Sequence, residues 1–266
     1  NKRAVVGAII LIVVVLLAIF FPPFCKYSYD EQNMALRNAS PSFDHWLGTD
    51  KMGRDIFVRI LFGARISLAV GCLAAVINLI VGTIYGGIAG YVGGKVDMIM
   101  MRVVDIIYSV PSMLYIVLIM LIFGASVVSI MLGISITCWI DMARIVRQQV
   151  KSLKEQEFTM AAFVLGAGSS RILLKHLLIN TMGQIIVTVT LMVPQAIFTE
   201  AWLSFLGVGI SAPMASWGTL AQDARELIMT YPMQTVYPMI AICITIFSFN
   251  FVGEGLEKAL DPKRKR

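Results

Sequence analysis

Long stretches without charged residues constrain the fold of this chain more than any other feature. Residues 66–94 and 106–140 contain no Asp, Glu, Lys or Arg. A helix of about 20 residues crosses the roughly 30 Å hydrocarbon core of a bilayer and satisfies its backbone groups internally. Hydrophobic residues make up 58% of the 266 residues and charged residues 14%. The sequence therefore predicts an all-α, polytopic membrane protein with no length left for a soluble catalytic domain.

The chain is divided into three parts: a first transmembrane helix at 1–24, an extracytoplasmic loop at 25–65 and a five-helix core at 66–266. Pro22 and Pro23 end the first helix because proline cannot continue the helical hydrogen bonds. This helix lacks a small-residue cleavage site, so we interpret it as a retained span and not a signal peptide. Because the sequence begins at Asn, we expect a short cytoplasmic tail to precede it.

The core is expected to complete a set of six membrane helices. The predicted helices are one at 66–94, two within 106–140, one at 177–198 and one at 236–252. Gly124 marks the turn between the two helices of the long run, and Pro111 predicts a kink in the first of them. Pro194 and Gln195 are expected to interrupt the fifth helix. A basic tail closes the chain, with Asp261 and Pro262 stopping the last helix.

A ladder of small residues predicts close packing in the second helix. Gly82, Gly86 and Gly90 follow at intervals of four, and Asn78 and Gly94 extend the series. Residues four apart share a helix face, and small side chains let a second backbone approach. The sequence therefore predicts that this helix lies in the interior of the bundle.

The polar loop is expected to contain an interfacial helix. Asp50 is predicted to cap it, with Arg54, Asp55 and Arg59 facing water or lipid headgroups. His45 and Asp50 are conceivable metal ligands, but two donors without others favour structural capping. We therefore predict no metal site and no catalytic site.

The longest polar interruption in the second half of the chain lies at 148–178. It is predicted to form a helix over 155–165, a turn at Gly166 and a second helix capped by Ser169 or Ser170. The first helix combines small and bulky exposed residues, which suits insertion into a groove on another protein. A polar connector between two membrane helices is the alternative.

Ala161, Ala162 and Gly166 stand in this stretch as Ala-Ala, three residues, Gly. The pattern resembles the cytoplasmic coupling loop of permease subunits of bacterial ABC importers. Met160 departs from the Glu of many members, and Ile179 from the usual Pro. The resemblance implies a type I permease fold and an ATPase-docking surface made of Glu157, Phe158, Ala161, Ala162 and Gly166.

Residues 45–55, together with Arg65 and Ser67, resemble the oligopeptide, dipeptide and nickel branch of these permeases, as the second (C-type) subunit. The resemblance implies a homologous second permease, two cytoplasmic ATPase subunits and an extracytoplasmic substrate-binding protein. ATP and Mg would be bound by the ATPases, and no cofactor by this chain. Similarity favours peptides over the alternative, nickel or a metal chelate. A stand-alone secondary transporter or channel is disfavoured because we find no inverted repeat.

Glu200 lies near the predicted outer end of the fifth helix. A carboxyl group at that depth is expected to face protein or water because exposure to lipid is costly. We expect Glu200, Gln195 and Pro194 to act on the translocation path or its gate. The alternative is that Glu200 faces the surface at the membrane interface.

The distribution of basic residues predicts the orientation. With six crossings and the N-terminus inside, 15 of the 22 Lys and Arg residues lie on the inner side, as the positive-inside rule requires. Both termini and the 148–178 stretch are therefore expected in the cytoplasm of a bacterium, with the chain in its cytoplasmic membrane. The basic residues lie at the ends of apolar runs, so nucleic acid is not an expected partner.

Overall fold

Long helices form almost the whole of the computed structural model, which describes residues 2–210 and 213–260. No β-strand occurs in these ranges, and the predicted all-α class is confirmed. The α-helices are α1 (Lys2–Phe20), α2 (Ile56–Ile77), α3 (Thr83–Val92), α4 (Gly94–Ser109), α5 (Ser112–Phe123), α6 (Val127–Thr137), α7 (Ile140–Lys154), α8 (Glu157–Val164), α9 (Ser169–Arg171), α10 (Leu178–Phe205), α11 (Trp217–Arg225) and α12 (Pro232–Leu260).

Five continuous helical stretches in the described ranges are long and apolar enough to cross a membrane. They are α1, α2 with α3, α6 with α7, α9 with α10, and α12. The pair α4 and α5 is bent by 75° and supplies a sixth span when it is counted as one. The chain is therefore a multi-pass membrane protein with the predicted number of spans, and its third span is broken.

Two of the long helices contain a π-helical turn. Asn78–Gly82 joins α2 to α3, and Ile172–Leu177 joins α9 to α10. Such turns widen the helix locally and often lie at functional sites. They keep each helix continuous while shifting the direction of the side chains that follow.

The glycine ladder faces α7. A Cβ added at Gly82 would lie 2.6 Å from the Cβ of Met142, and one at Gly90 would lie 2.7 Å from the Arg147 carbonyl oxygen. At Gly86 an added Cβ would overlap the Ala143 carbonyl oxygen. The α3 and α7 backbones therefore touch through these three glycines. Gly94 departs from the ladder, since it has a φ of 54° and starts α4.

The first helix packs along α12 and against the start of α2. Arg65 of α2 donates from Nε to the Ala18 carbonyl oxygen at 2.5 Å and from Nη2 to that of Ile19 at 2.8 Å. These are carbonyls of the last turn of α1, which carries partial negative charge. Arg65 therefore caps α1 from a neighbouring span.

The loop before α2 differs from the prediction. Asp55, not Asp50, caps the helix, accepting a hydrogen bond from the Val58 amide at 2.9 Å. The helix runs unbroken from Ile56 into the membrane span, so no separate interfacial helix forms. The expectation that Arg54, Asp55 and Arg59 face water was wrong, because all three are buried.

Three buried charged residues, Asp50, Arg54 and Arg59, form a loop charge cluster with the partly exposed Asp223. Asp50 Oδ2 lies 2.7 Å from Arg54 Nε and 2.5 Å from Arg59 Nη1. Asp223 of α11 lies 3.0 Å from Arg54 Nη2. Two carboxylates thus neutralise two guanidinium groups, which is why these side chains can leave water.

Prolines produced two further differences. Pro194 lies inside α10, which continues to Phe205, so the predicted interruption at Pro194 and Gln195 was wrong. In a membrane the flanking backbone groups have no water to bond, so the helix continues through the proline. Pro111 breaks its helix outright where only a kink was predicted, since α4 ends at Ser109.

Helix ends account for the remaining differences. Gly168 is the N-cap of α9, so the predicted caps Ser169 and Ser170 were wrong. The last helix is longer than predicted and includes the first residues of the proposed basic tail. Asp261 and Pro262 lie outside the described residues. The predicted turn at Gly124 is confirmed, with a φ of 84°.

Candidate functional site

A cavity of about 450 Å³ opens at the break between α4 and α5. Its wall combines that break with α2, the junction of α6 and α7, and α10. The polar groups that line it include Asn78, Tyr108, Ser109, Asp141, Gln195 and Thr199. Four separate spans therefore converge on one partly polar space within the membrane bundle.

The broken helix supplies backbone to the cavity wall. Val110 is extended, with φ −95° and ψ 127°, and Pro111 has no amide hydrogen. The 75° bend leaves the end of α4 at the cavity. Irregular backbone at membrane depth is tolerated where it lines a water-filled space, because water satisfies the groups that the helix no longer bonds.

Asn78 brings an amide group to the same cavity. It begins the π-helical turn after α2, is 1% exposed, and its Nδ2 contacts the Met192 sulfur. Its Oδ1 is buried and has no hydrogen-bond partner among the residues described. Sequence analysis placed Asn78 in the packing ladder and missed this position. The break in the α-helical hydrogen bonding at Asn78 is not visible in the sequence.

The three residues predicted for the translocation path do not come together at the cavity. Gln195 lines it, whereas Pro194 and Glu200 do not. Glu200 is completely buried and accepts hydrogen bonds from Ser67 Oγ at 3.0 Å and Ser204 Oγ at 2.8 Å. The alternative of a surface-facing Glu200 was therefore wrong.

Glu200 connects three helices. Ser67 lies on α2, and its Oγ also accepts a hydrogen bond from the Trp217 amide at 3.3 Å, at the first residue of α11. Glu200 and Ser204 lie on α10. Thr199, the residue before Glu200, lines the cavity. Glu200 is thus one residue along α10 from the cavity wall.

The helix of the small-residue motif is α8, and its end has a defined geometry. Gly166 has a φ of 80°, its amide bonds the Phe163 carbonyl at 3.0 Å, and the Ala167 amide bonds that of Ala162 at 3.0 Å. This pair of bonds is a Schellman motif with glycine at C′. The predicted role of Gly166 as the C′ residue is confirmed. Nothing lies within 4 Å of its missing Cβ.

The apolar residues of α8 and the turn after it are exposed. Phe158 is 41% exposed, Phe163 72% and Leu165 86%. Glu157 and Ala161 are also exposed, and Ala162 is half-buried. Thr159 is buried and donates from Oγ1 to the Leu153 carbonyl oxygen at 2.8 Å, which attaches α8 to α7. An exposed apolar surface of this kind is typical of a contact with another protein or with lipid.

Helix α7 joins the two regions. Its first residues, Ile140 and Asp141, line the cavity, and α8 begins three residues after its last residue, Lys154. Ion pairs attach α7 to α4: Arg147 Nη2 lies 2.7 Å from Asp97 Oδ2 and Lys151 Nζ 3.3 Å from the same oxygen. Helix α7 therefore lines the cavity at one end and leads into α8 at the other.

His45 is engaged in a local contact. Its Nδ1 lies 2.8 Å from Asp55 Oδ2, and its ring stacks on Tyr27 with centroids 4.5 Å apart. Within residues 2–210 and 213–260, no three His, Cys, Asp or Glu side chains are grouped as a metal site requires. Asp50 belongs to the loop charge cluster. The two conceivable metal ligands therefore have separate partners.

Family comparisons decide what kind of protein combines these features. Residues 82–266 match the model of the binding-protein-dependent transport system inner membrane component. The chain belongs to this family. Residues 1–41 of this permease also match the N-terminal transmembrane domain of oligopeptide transport permease C.

Curated relatives cover the whole permease. It is 51% identical over 266 residues to the oligopeptide transport system permease protein OppC of Bacillus subtilis (strain 168), spanning 100% of this chain and 87% of that protein. It is 46% identical to the dipeptide transport system permease protein DppC of the same organism, spanning 83% of that protein. Identity to OppC of Escherichia coli (strain K12) is 42%, over 88% of its length. The permease is thus a C-type subunit of this branch.

Proposed function

We propose that this permease forms half of the translocation pathway of an ATP-driven importer for oligopeptides or dipeptides. The observation that carries the proposal is the position of α7, which lines the membrane cavity at one end and leads into the exposed α8 at the other. The names of the similar permeases support peptides as the substrate class.

The proposed partners correspond to the cavity, the exposed α8 and the loop of this chain. A homologous second permease would complete the wall of the cavity, and two ATPase subunits would hold the ATP and Mg. An extracytoplasmic substrate-binding protein would deliver the peptide to the loop at 25–65. In this arrangement the chain is not an enzyme. It converts the movement of the ATPase subunits into opening of the cavity to one side of the membrane or the other.

Docking is assigned to α8 and its C-terminal turn. Glu157, Phe158, Ala161, Ala162 and Gly166 would contact the ATPase, with Phe158 as the apolar anchor. ATP-driven closure of the ATPase pair would displace α8. Because α7 is bonded to α4 through Asp97, that displacement would reach the break between α4 and α5 and open the cavity to one side or the other.

Positive charge supports the orientation. Lys and Arg residues cluster at the ends of spans on the side that carries α8 and both termini. We therefore place α8 and the termini in the cytoplasm and the chain in the cytoplasmic membrane of a bacterium. We keep the proposed locations of the first helix, the extracytoplasmic loop and the five-helix core relative to the membrane. Helix α2 begins at Ile56, within the range first assigned to the loop.

The docking role is tested by Phe158→Asp, with Phe43→Asp as the matched control. Phe43 is fully exposed on the loop at 25–65, so the same change there should leave ATPase binding intact. Phe158→Asp and Ala162→Trp should abolish co-purification of the ATPase and uptake while membrane insertion is retained. Retained co-purification and uptake in both variants would contradict the docking role.

Uptake by proteoliposomes distinguishes the rival substrates and mechanisms. Vesicles that hold both permeases, the ATPases and the binding protein should accumulate labelled peptide and not nickel. Accumulation of nickel would support the metal-importer alternative. Vesicles that hold only this chain should accumulate neither, and accumulation there would support a stand-alone transporter.

A further inference from the structure

We infer that Asp141 makes the cavity selective for positively charged groups of the transported molecule. The inference rests on the proposed peptide transport and adds a charge selectivity within the cavity. Peptides carry an ammonium group at the N-terminus, and those with Lys or Arg carry a second cationic group. A carboxylate in the cavity wall would attract these groups.

Asp141 is the only Asp, Glu, Lys or Arg side chain among the described residues that line the cavity. The other polar groups of the wall are amides, hydroxyls and backbone. Asp141 lies 14 residues after the start of the span at Val127, roughly 20 Å along the helix at 1.5 Å per residue. An ionisable group at membrane depth is costly and usually faces a functional cavity.

The nearest cation on the same helix is bound elsewhere. Arg144, one turn after Asp141, places Nη2 3.0 Å from Asp105 Oδ1, and its guanidinium lies 4.3 Å from the centroid of the Tyr108 ring. Among the residues described, the Asp141 carboxylate forms no hydrogen bond or ion pair. Its negative charge is therefore not neutralised within this part of the chain.

The helix ends at the cavity carry partial charges of both signs. Asp141 lies in the first turn of α7, where the helix dipole stabilises a carboxylate. Helix α4 ends at Ser109 in the cavity wall, so the partial negative charge of its C-terminus faces the same space. Ser112, the first residue of α5, also lines the cavity and brings a partial positive charge of similar size. The full negative charge of Asp141 therefore sets the sign of this wall, which favours cations over anions.

The test compares two tripeptides that differ in one side chain, Ala-Lys-Ala and Ala-Glu-Ala. Uptake is measured in proteoliposomes with the complete importer, together with the binding-protein-stimulated ATPase rate. Asp141→Asn should lower the ratio of Lys-peptide to Glu-peptide uptake by about tenfold. The ATPase rate in the same vesicles shows whether the variant importer is assembled and coupled. Asp141→Glu should keep the wild-type ratio.

Glu254→Gln is the matched control, because it removes one carboxylate from α12, away from the cavity. It should keep the wild-type ratio. An Asp141→Asn importer with an unchanged ratio, or with equal losses for both peptides, overturns the inference while leaving peptide transport intact. If the wild-type importer takes up neither peptide, the proposed function fails and this inference fails with it.

Discussion

Arg59 of α2 and Asp223 of α11 are 164 residues apart in the chain, yet Arg59 Nη1 lies 3.3 Å from Asp223 Oδ2. The Arg59 side chain is only 2% exposed and also binds Asp50. Since Asp50 belongs to the loop before α2, this guanidinium group holds the loop and α11 against the same span. The loop charge cluster is therefore a tertiary connection between distant parts of the chain.

Removing Asp50 should destabilise the protein strongly. Asp50→Asn leaves two buried guanidinium groups facing one carboxylate, and losing one member of a buried ion pair costs about 3 kcal/mol. The measurement is the thermal unfolding midpoint of the purified chain in mild detergent. Lys26→Met is the control, since the Lys26–Asp44 pair has both side chains 69% exposed and should shift nothing measurable. Equal shifts in both variants would contradict the prediction.

The same cluster should make stability depend on acid. Burial alone would raise the pKa of Asp50, but Arg59, Arg54 and two backbone amides outweigh it and hold the pKa below its ordinary 3.8. A carboxyl group whose pKa is lowered by folding stabilises the fold above its unfolded pKa, and this contribution disappears as pH falls. The thermal unfolding midpoint should therefore fall when the pH is lowered below about 4. The unfolding midpoint of Asp50→Asn should fall less over the same pH range, and identical pH profiles for the two proteins would contradict the prediction.

Local chemistry made much of the fold predictable. The uncharged runs led directly to helices, because a backbone inside a bilayer has few other ways to satisfy its hydrogen bonds. Gly124 and Gly166 were located correctly, since both turns need the positive φ that glycine adopts readily. These features depend only on residues that are close together in the sequence.

Contacts between distant residues were not predictable. Arg54 and Arg59 were expected to face water because their partner Asp223 lies on another helix. Asp55 was expected to face water as well, although it pairs with His45 of the same loop. Only Asp55 carried a local signal, since it stands immediately before an apolar helix. Pro111 lies at a break between two helices, whereas Pro194 lies inside a continuous helix. The packing of neighbouring helices decides between these outcomes and cannot be deduced from either segment alone.

The cavity also required the tertiary structure. Asn78, Asp141 and Gln195 come from three different spans, and no spacing in the sequence relates them. Gln195 was selected for its position beside Pro194, whereas Asp141 was not among the predicted site residues. The face of each helix that turns toward the cavity depends on the π-helical turn and on the break at Pro111.

Two adjacent glycines offer a direct test of the contact between α3 and α7. At Gly86 an added Cβ overlaps the Ala143 carbonyl oxygen, whereas at Gly87 the nearest atom, Leu178 Cδ2, is 3.6 Å away. Gly86→Ala should destabilise the chain by about 1–3 kcal/mol, as overpacking does. Gly87→Ala should be neutral or slightly stabilising because alanine favours the helix. Thermal unfolding measures both, and similar midpoints would show that α3 and α7 are not in backbone contact.

Glu200→Gln should separate transport from assembly. Ser67 and Ser204 both donate to the Glu200 carboxyl oxygens, and a glutamine of the same size offers only one acceptor. One hydroxyl group must then turn to accept from the amide. Ser67 already accepts from the Trp217 amide, so the exchange should cost about 1–3 kcal/mol.

Because Thr199, the residue before Glu200, lines the cavity, this change should lower peptide uptake by the complete importer while the ATPases still co-purify. Glu226→Gln, at an exposed carboxylate after α11, is the control and should leave both readouts unchanged. Normal uptake by Glu200→Gln would mean that the buried carboxyl group only fastens α2, α10 and α11 together. In that case the gate would have to lie at the break between α4 and α5, where the cavity has its own irregular backbone.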